Sequence, residues 1–144
     1  MRDLFDLERF VVAQDAGGTI ETALDELRRG RKTSHWMWFV FPQIAGLGQS
    51  PMAKRYAIGS LDEARAYLHH PVLRQRLLEA ANIVASTQGS TAEQIFGSVD
   101  ARKLQSSMTL FLRAAPTESV FSKVLGLFFD GLPDRTTDQL LDRT

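Results

Sequence analysis

The sequence predicts an all-α protein of about seven or eight helices, in a single domain over residues 1–144. Apolar residues recur at helical spacing along most of the chain. Helix-capping residues stand where these patterns begin, and 144 residues fit one domain. One short extended segment near residues 35–41 is the alternative to helix that the sequence leaves open.

The first half of the chain contains three predicted helices, over 4–14, 20–29 and 61–69. Asp3 can cap the first of them, Gly30 ends the second, and Ser60 and Glu63 form a capping box before the third. Residues 51–58 show a short helical pattern that begins at Pro51.

The second half continues in the same way. Pro71 suits the first turn of a long helix, and Thr91 with Gln94 forms a second capping box. The helical pattern then predicts further elements over 71–86, 91–96, 100–112, 120–128 and 138–141.

Composition limits the classes of function. Lys and Arg number 17, as do Asp and Glu, and this zero net charge argues against double-stranded nucleic acid as a partner. The absence of cysteine excludes disulfides, thiolate catalysis and Cys-ligated metals. No apolar run approaches the roughly 18 residues of a membrane helix, and the charged N-terminus does not resemble a secretion signal. We therefore expect a cytoplasmic protein with no membrane partner.

No metal or cofactor is predicted. The pair His69–His70 is the most suggestive feature, but adjacent helical residues point about 100° apart. The spacings typical of zinc ligands on a helix are missing.

The most unusual stretch covers residues 32–43, which include both tryptophans. Met37, Phe39, Val40 and Phe41 suit a hydrophobic core. The polar groups of the other side chains, His35, Trp36, Trp38 and Gln43, need hydrogen-bond partners and could line a pocket for a flat polar molecule. Four cations precede this stretch or begin it: Arg28, Arg29, Arg31 and Lys32. They either complement the negative end of the second helix dipole or recognise an anion, and the two roles are compatible. The candidate ligand-binding residues are Arg31, Lys32, Ser34, His35, Trp36, Trp38 and Gln43.

A second stretch begins at Asp100. Ser107 shares a helix face with the apolar Leu104, so it either permits close helix packing or points into a pocket. Lys103 precedes Ser106 and Ser107 by three and four residues, an order that reverses the Ser-x-x-Lys motif, and no companion motif appears. The candidate catalytic residues are Asp100, Lys103 and Ser107.

Several motifs resemble an uncharacterised, mainly bacterial family catalogued as domain of unknown function 1810. They are Ser34-His35-Trp36-Met37-Trp38-Phe39-x-Phe41-Pro42-Gln43, Gly46-Leu47-Gly48, Ile95-Phe96-Gly97 and Lys103-Leu104-x-Ser106-Ser107-Met108. Ile20 stands where such sequences usually have tyrosine. The resemblance implies no activity, since none is established for the family.

A fainter resemblance, in the helix over 71–86 and the aspartate that follows it, is to the NADAR type of N-glycosidase. Lys103-Leu104 stands where that family has a Trp-Gly pair. This resemblance implies an ADP-ribose derivative as ligand.

Two functions follow as hypotheses. The first is binding or hydrolysis of a nucleotide-like small molecule between segments 31–43 and 100–107, with Asp100 or Glu63 as the general base of a hydrolysis. The alternative is a protein-interaction module that uses the aromatic stretch 36–48. The sequence leaves open whether the protein is an enzyme, whether the two segments meet, and the oligomeric state.

Overall fold

The computed structural model describes residues 3–143, and its regular elements are helices, as predicted. A 3₁₀ turn over Ala16–Gly18 joins the first two of ten α-helices. Two short helices raise the count above the predicted seven or eight, namely Met37–Val40 and Pro51–Arg55 within the short pattern over 51–58. The helices are α1 Glu8–Asp15, α2 Thr19–Arg28, α3 Met37–Val40, α4 Pro51–Arg55, α5 Leu61–His69, α6 Pro71–Ser86, α7 Ala92–Phe96, α8 Ser98–Ala114, α9 Ser119–Phe128 and α10 Arg135–Leu141.

The core forms around α8, which packs against α5, α7, α9 and α10. The long helix α6 packs against α2, α5 and α9. The side chains of Leu104, Met108 and Phe111 are fully buried along α8, as their helical spacing predicted. The buried apolar side chains form one contiguous cluster.

The extended segment near 35–41 is wrong as a prediction. Met37–Val40 forms one helical turn between α1 and α6. The side chains of consecutive residues point in different directions around a helical turn. Because this turn packs against both α1 and α6, Met37, Phe39 and Val40 are all buried. Extended pairing occurs further on, where Ile44 forms an isolated parallel bridge with Ile58.

The caps show how local rules set the helix starts. Thr91 and Gln94 form the predicted capping box. Ser60 accepts a hydrogen bond from the Glu63 backbone at 3.1 Å, but the Glu63 carboxylate bonds the Gly59 N–H at 2.9 Å instead of completing the box. The predicted start of the first helix is wrong by four residues, since α1 begins at Glu8 with Leu7 as its N-cap residue. The Asp3 carboxylate nevertheless accepts from the backbone N–H groups of Leu7 at 2.7 Å and Glu8 at 2.9 Å.

Gly30 directs the chain from α2 toward the aromatic stretch. Its φ of +72° lies in the left-handed region that favours glycine. The Gly30 N–H bonds the Leu27 carbonyl, and the Arg31 N–H bonds the Glu26 carbonyl, both at 3.0 Å. These bonds close the helix end and fix where residue 31 begins.

In the part of the chain from residue 3 to residue 143, no helix combines the length and apolar character that a membrane crossing requires.

Candidate functional site

The two segments singled out in the sequence meet in space. The Lys32 amine lies 2.8 Å from one Asp100 carboxylate oxygen, and the Lys103 amine lies 3.4 Å from the other. The Lys32 backbone N–H also bonds the Ile95 carbonyl at 2.7 Å. The loop after α2 is therefore attached to α7 and to the first turn of α8.

Residues 31–36 alternate between two sides of that loop. Lys32, Ser34 and Trp36 are buried or half-buried, whereas Arg31, Thr33 and His35 are exposed. Alternation of this kind is typical of an extended backbone. It separates the predicted ligand-binding residues into an inward set, bonded to the protein itself, and an outward set that faces solvent.

Glu26 bonds two members of the inward set, Ser34 and Trp36, and the sequence analysis did not identify it. One carboxylate oxygen accepts from the Thr33 N–H at 2.8 Å, the Ser34 N–H at 2.9 Å and the Trp36 indole N–H at 3.0 Å. The other accepts from the Ser34 hydroxyl at 2.5 Å. These four donors satisfy a buried charge that would otherwise be costly.

The same bonds set the acidity of Glu26. Burial alone would raise its pKa, but the hydrogen bonds from Ser34, Thr33 and Trp36 outweigh that effect and lower the pKa from 4.5 to about 2. Glu26 is thus a permanent anion at neutral pH. A signal did exist in the sequence, because this acidic residue stands three positions after the buried Ala23 and so shares the inner face of α2.

Lys32 serves the structure as well. Its side chain is only 8% exposed, its amine donates to the Ser34 carbonyl at 2.5 Å, and it lies 5.0 Å from the Trp36 ring centroid. Trp36 itself is fully buried. Two of the three amine protons of Lys32 are committed, counting the ion pair with Asp100.

Lys103 differs from Lys32 because its amine keeps donor capacity. The side chain is 23% exposed, and the amine lies 5.2 Å from the ring centroid of the half-buried Trp38. Within residues 3–143, Asp100 is its ion-pair partner, at 3.4 Å. We call Trp38, Asp100 and Lys103 the Trp38 ledge.

Ser107 lies on the same face of α8 as Asp100 and Lys103, at i+7 and i+4. It is fully buried, and among the described residues its hydroxyl has no hydrogen-bond partner. The Lys103 amine reaches back to Asp100 and not forward to Ser107. Ser107 and Lys103 therefore do not form a hydrogen-bonded pair.

The other sequence candidates lie outside the ledge. Gln43 is half-buried, and its backbone carbonyl accepts from the Ile58 N–H at 2.8 Å. Glu63 forms an ion pair with Arg9 at 2.9 Å. Because its other oxygen bonds the Gly59 N–H, Glu63 acts as a structural partner and is poorly placed as a base.

Arg9 makes the second dense polar centre. Its guanidinium donates to the carbonyls of Phe5, Asp6, Arg55 and Ala57 at 2.6 to 3.0 Å, and to the carboxylate of Glu63. All five N–H directions of the guanidinium are used. This cluster fastens α1 to the segment between α4 and α5, and it offers nothing to a ligand.

Comparison with known proteins adds a family and a solved relative. The model of a family described as "Protein of unknown function (DUF1810)" matches residues 4–141. The chain is similar to a crystal structure of the conserved hypothetical protein Rv1873 from Mycobacterium tuberculosis, with 51% identity, a TM-score of 0.95, and coverage of 99% of this chain and 100% of that one. No curated protein matches the chain.

Proposed function

The chain belongs to the DUF1810 family of proteins of unknown function, and we propose that it binds a nucleotide-like small molecule of the ADP-ribose type at the Trp38 ledge. The ligand stacks an aromatic ring on Trp38 and places an anionic group on the Lys103 amine. Lys32 connects the ledge to the loop after α2, because its amine pairs with Asp100 and donates to the Ser34 carbonyl, and Glu26 in turn accepts from Ser34 and Trp36.

The observation that carries the proposal is the difference between the two lysines. Both contact Asp100, but Lys32 is buried and bonded twice, whereas Lys103 is part-exposed with a longer contact of 3.4 Å. An incoming phosphate or carboxylate can therefore take up the spare donors of Lys103 while Lys32 keeps Asp100 in place.

Trp38 supplies the second element. A part-exposed indole next to an amine suits a ligand that is both aromatic and anionic, because base stacking on an aromatic side chain contributes about 1–3 kcal/mol. Trp36 cannot serve in this way, since it is fully buried and its N–H is bonded to Glu26.

If the bound molecule is hydrolysed, Asp100 is a better candidate than Glu63 to activate water, because its side chain is 19% exposed against 9% for Glu63 and its contact with Lys103 is long, at 3.4 Å. Glu26 is a poor base because its four donors lower its pKa to about 2. Ser107 is buried without a lysine partner, so the geometry favours water over a serine nucleophile. Incubation with ADP-ribose derivatives, followed by product analysis, distinguishes hydrolysis from binding alone.

Calorimetric titration tests the binding. ADP-ribose, NAD and AMP should be titrated into the native protein, Lys103→Met and Lys123→Met. Lys123 is exposed on α9 and is the matched control. We expect Lys103→Met to weaken binding about tenfold, as loss of a charge-assisted hydrogen bond does, and Lys123→Met to leave it unchanged. No heat with millimolar ligand, or equal affinity in both variants, would refute the proposal.

The alternative, a protein-interaction module, has little exposed apolar surface in the stretch 36–48. Trp36, Phe39 and Phe41 belong to the core. Within the stretch 36–48, the large apolar side chains that remain partly accessible are those of Trp38 and Leu47. A contact patch built on this stretch would therefore be small compared with about 800 Å² per partner in a stable interface.

A further inference from the structure

A second, separate groove lies where α2 and α6 end. The two helices run side by side, and Gly30 brings their C-terminal ends together, since a Cβ on Gly30 would lie 3.9 Å from the Thr87 methyl group. The groove has a volume of about 670 Å³, within the usual range of small-molecule sites. Neither Trp38 nor Lys103 lines it.

The α2 wall of the groove presents hydrogen-bond donors. Arg28 is paired with Asp25 at 3.0 Å and lies 4.0 Å from Glu79. Arg29 uses its Nε on the Asp25 carbonyl at 3.3 Å. The terminal nitrogens of Arg29 have no partner within residues 3–143, so they remain available as a planar fork of donors.

The α6 wall presents acceptors. The Asn82 side-chain amide donates to the Leu78 carbonyl at 2.8 Å, the Ser86 hydroxyl to the Asn82 carbonyl at 2.9 Å, and the Thr87 hydroxyl to the Ile83 carbonyl at 3.2 Å. The two hydroxyls have then used their protons and the Asn82 amide keeps one N–H, so the side-chain oxygens of these three lining residues remain available as acceptors. The half-buried Ile83 adds an apolar patch between them.

The charge of the groove is balanced. Glu79 lies among its lining residues, and each helix C-terminus carries a partial negative charge of about half an elementary charge. These contributions offset the guanidinium groups of Arg28 and Arg29. The groove therefore does not favour an anion, unlike the Trp38 ledge.

We propose that this groove binds a neutral, hydroxyl-rich molecule, a monosaccharide or short oligosaccharide. Each sugar hydroxyl can both donate and accept, so one edge meets the Arg29 fork and the other meets the oxygens of Asn82 and Ser86. The C–H face of the sugar ring packs on Ile83. This site is independent of the one proposed at the Trp38 ledge.

NMR titration of ¹⁵N-labelled protein tests the proposal, with glucose, galactose, ribose and maltotriose added to about 50 mM, since a few hydrogen bonds to a small ligand give millimolar affinity. The amide signals of Gly30 and Thr87 and the side-chain amide of Asn82 should shift saturably with at least one sugar. Arg29→Ala and Asn82→Ala should each weaken binding about fivefold, as loss of one hydrogen-bond partner does.

Two controls separate the outcomes. Arg31→Ala, an exposed arginine outside the groove, and Lys103→Met should leave sugar binding unchanged. The proposal is overturned if no sugar shifts the three groove signals, if Arg29→Ala and Asn82→Ala bind as tightly as the native protein, or if glucose 6-phosphate binds at least tenfold more tightly than glucose.

Discussion

The Glu26→Gln substitution should lower the free energy of unfolding in a pH-dependent way. Glutamine retains the shape and can still accept from Thr33 and Trp36, and its amide can donate to the Ser34 hydroxyl, so the fold should persist. What is lost is the charge. The pKa of Glu26 falls from 4.5 to about 2 on folding, which at about 1.4 kcal/mol per pH unit corresponds to about 3 kcal/mol of stability.

The sign follows from the direction of the shift. A carboxylate with a lowered pKa in the folded state contributes its stability above the unfolded pKa, and that contribution is lost as pH falls through the folded pKa. The native protein should therefore be about 3 kcal/mol more stable than Glu26→Gln at pH 7. The two should converge between pH 4.5 and about 2.

Urea unfolding followed by tryptophan fluorescence over this pH range measures the difference. Glu21→Gln, exposed on the same helix, is the control and should cost less than about 1 kcal/mol, the size of a helix-dipole contribution. Parallel stability curves for the native protein and Glu26→Gln would refute the reasoning, because Glu26 would then have no special proton affinity in the folded state.

Two further predictions concern the other polar centres. Arg9→Met should lower the free energy of unfolding by about 3–5 kcal/mol, because it leaves the buried Glu63 carboxylate without a cation. Thermal unfolding measures this loss. The control Arg65→Met, which removes an exposed arginine, should change the free energy of unfolding by less than about 1 kcal/mol. Ser107→Ala should be neutral or stabilising because its hydroxyl is unpaired among the described residues, whereas Ser106→Ala should cost about 1 kcal/mol because its hydroxyl has two partners. Equal losses for the two serines in urea unfolding would contradict this.

Sequence patterns predicted the parts of this fold that depend on near neighbours. The cap at Thr91 was correct because a cap joins residues three positions apart. Asp3 does bond the start of the first helix, at Leu7 and Glu8, but that helix begins four residues later than predicted. Met37–Val40 was harder, since an apolar run without a period does not distinguish a buried helical turn from a buried strand. Tertiary packing decided that segment.

The sequence identified the two segments that carry the candidate residues, but it did not show that they meet or which bonds each residue makes. Lys32 and Asp100 are far apart in the chain, so nothing local could show that they form an ion pair. Glu26 was missed because its partners lie in an irregular loop seven to ten residues later. Once that carboxylate is considered, Ser34 and Trp36 become supports of the loop, and Trp38 is the indole left for a ligand.

The two tryptophans allow the most direct test of the central claim that the ledge, and not the buried indole, meets the ligand. A ¹⁵N-labelled protein gives one indole N–H signal for Trp36 and one for Trp38, assigned by Trp38→Phe. Titration with ADP-ribose should shift the Trp38 signal saturably. The Trp36 signal should stay in place, because the Trp36 indole N–H donates to Glu26. Lys103→Met should raise the ADP-ribose concentration needed to shift the Trp38 signal. No shift of the Trp38 signal at millimolar ADP-ribose, or a shift of the Trp36 signal alone, would contradict it.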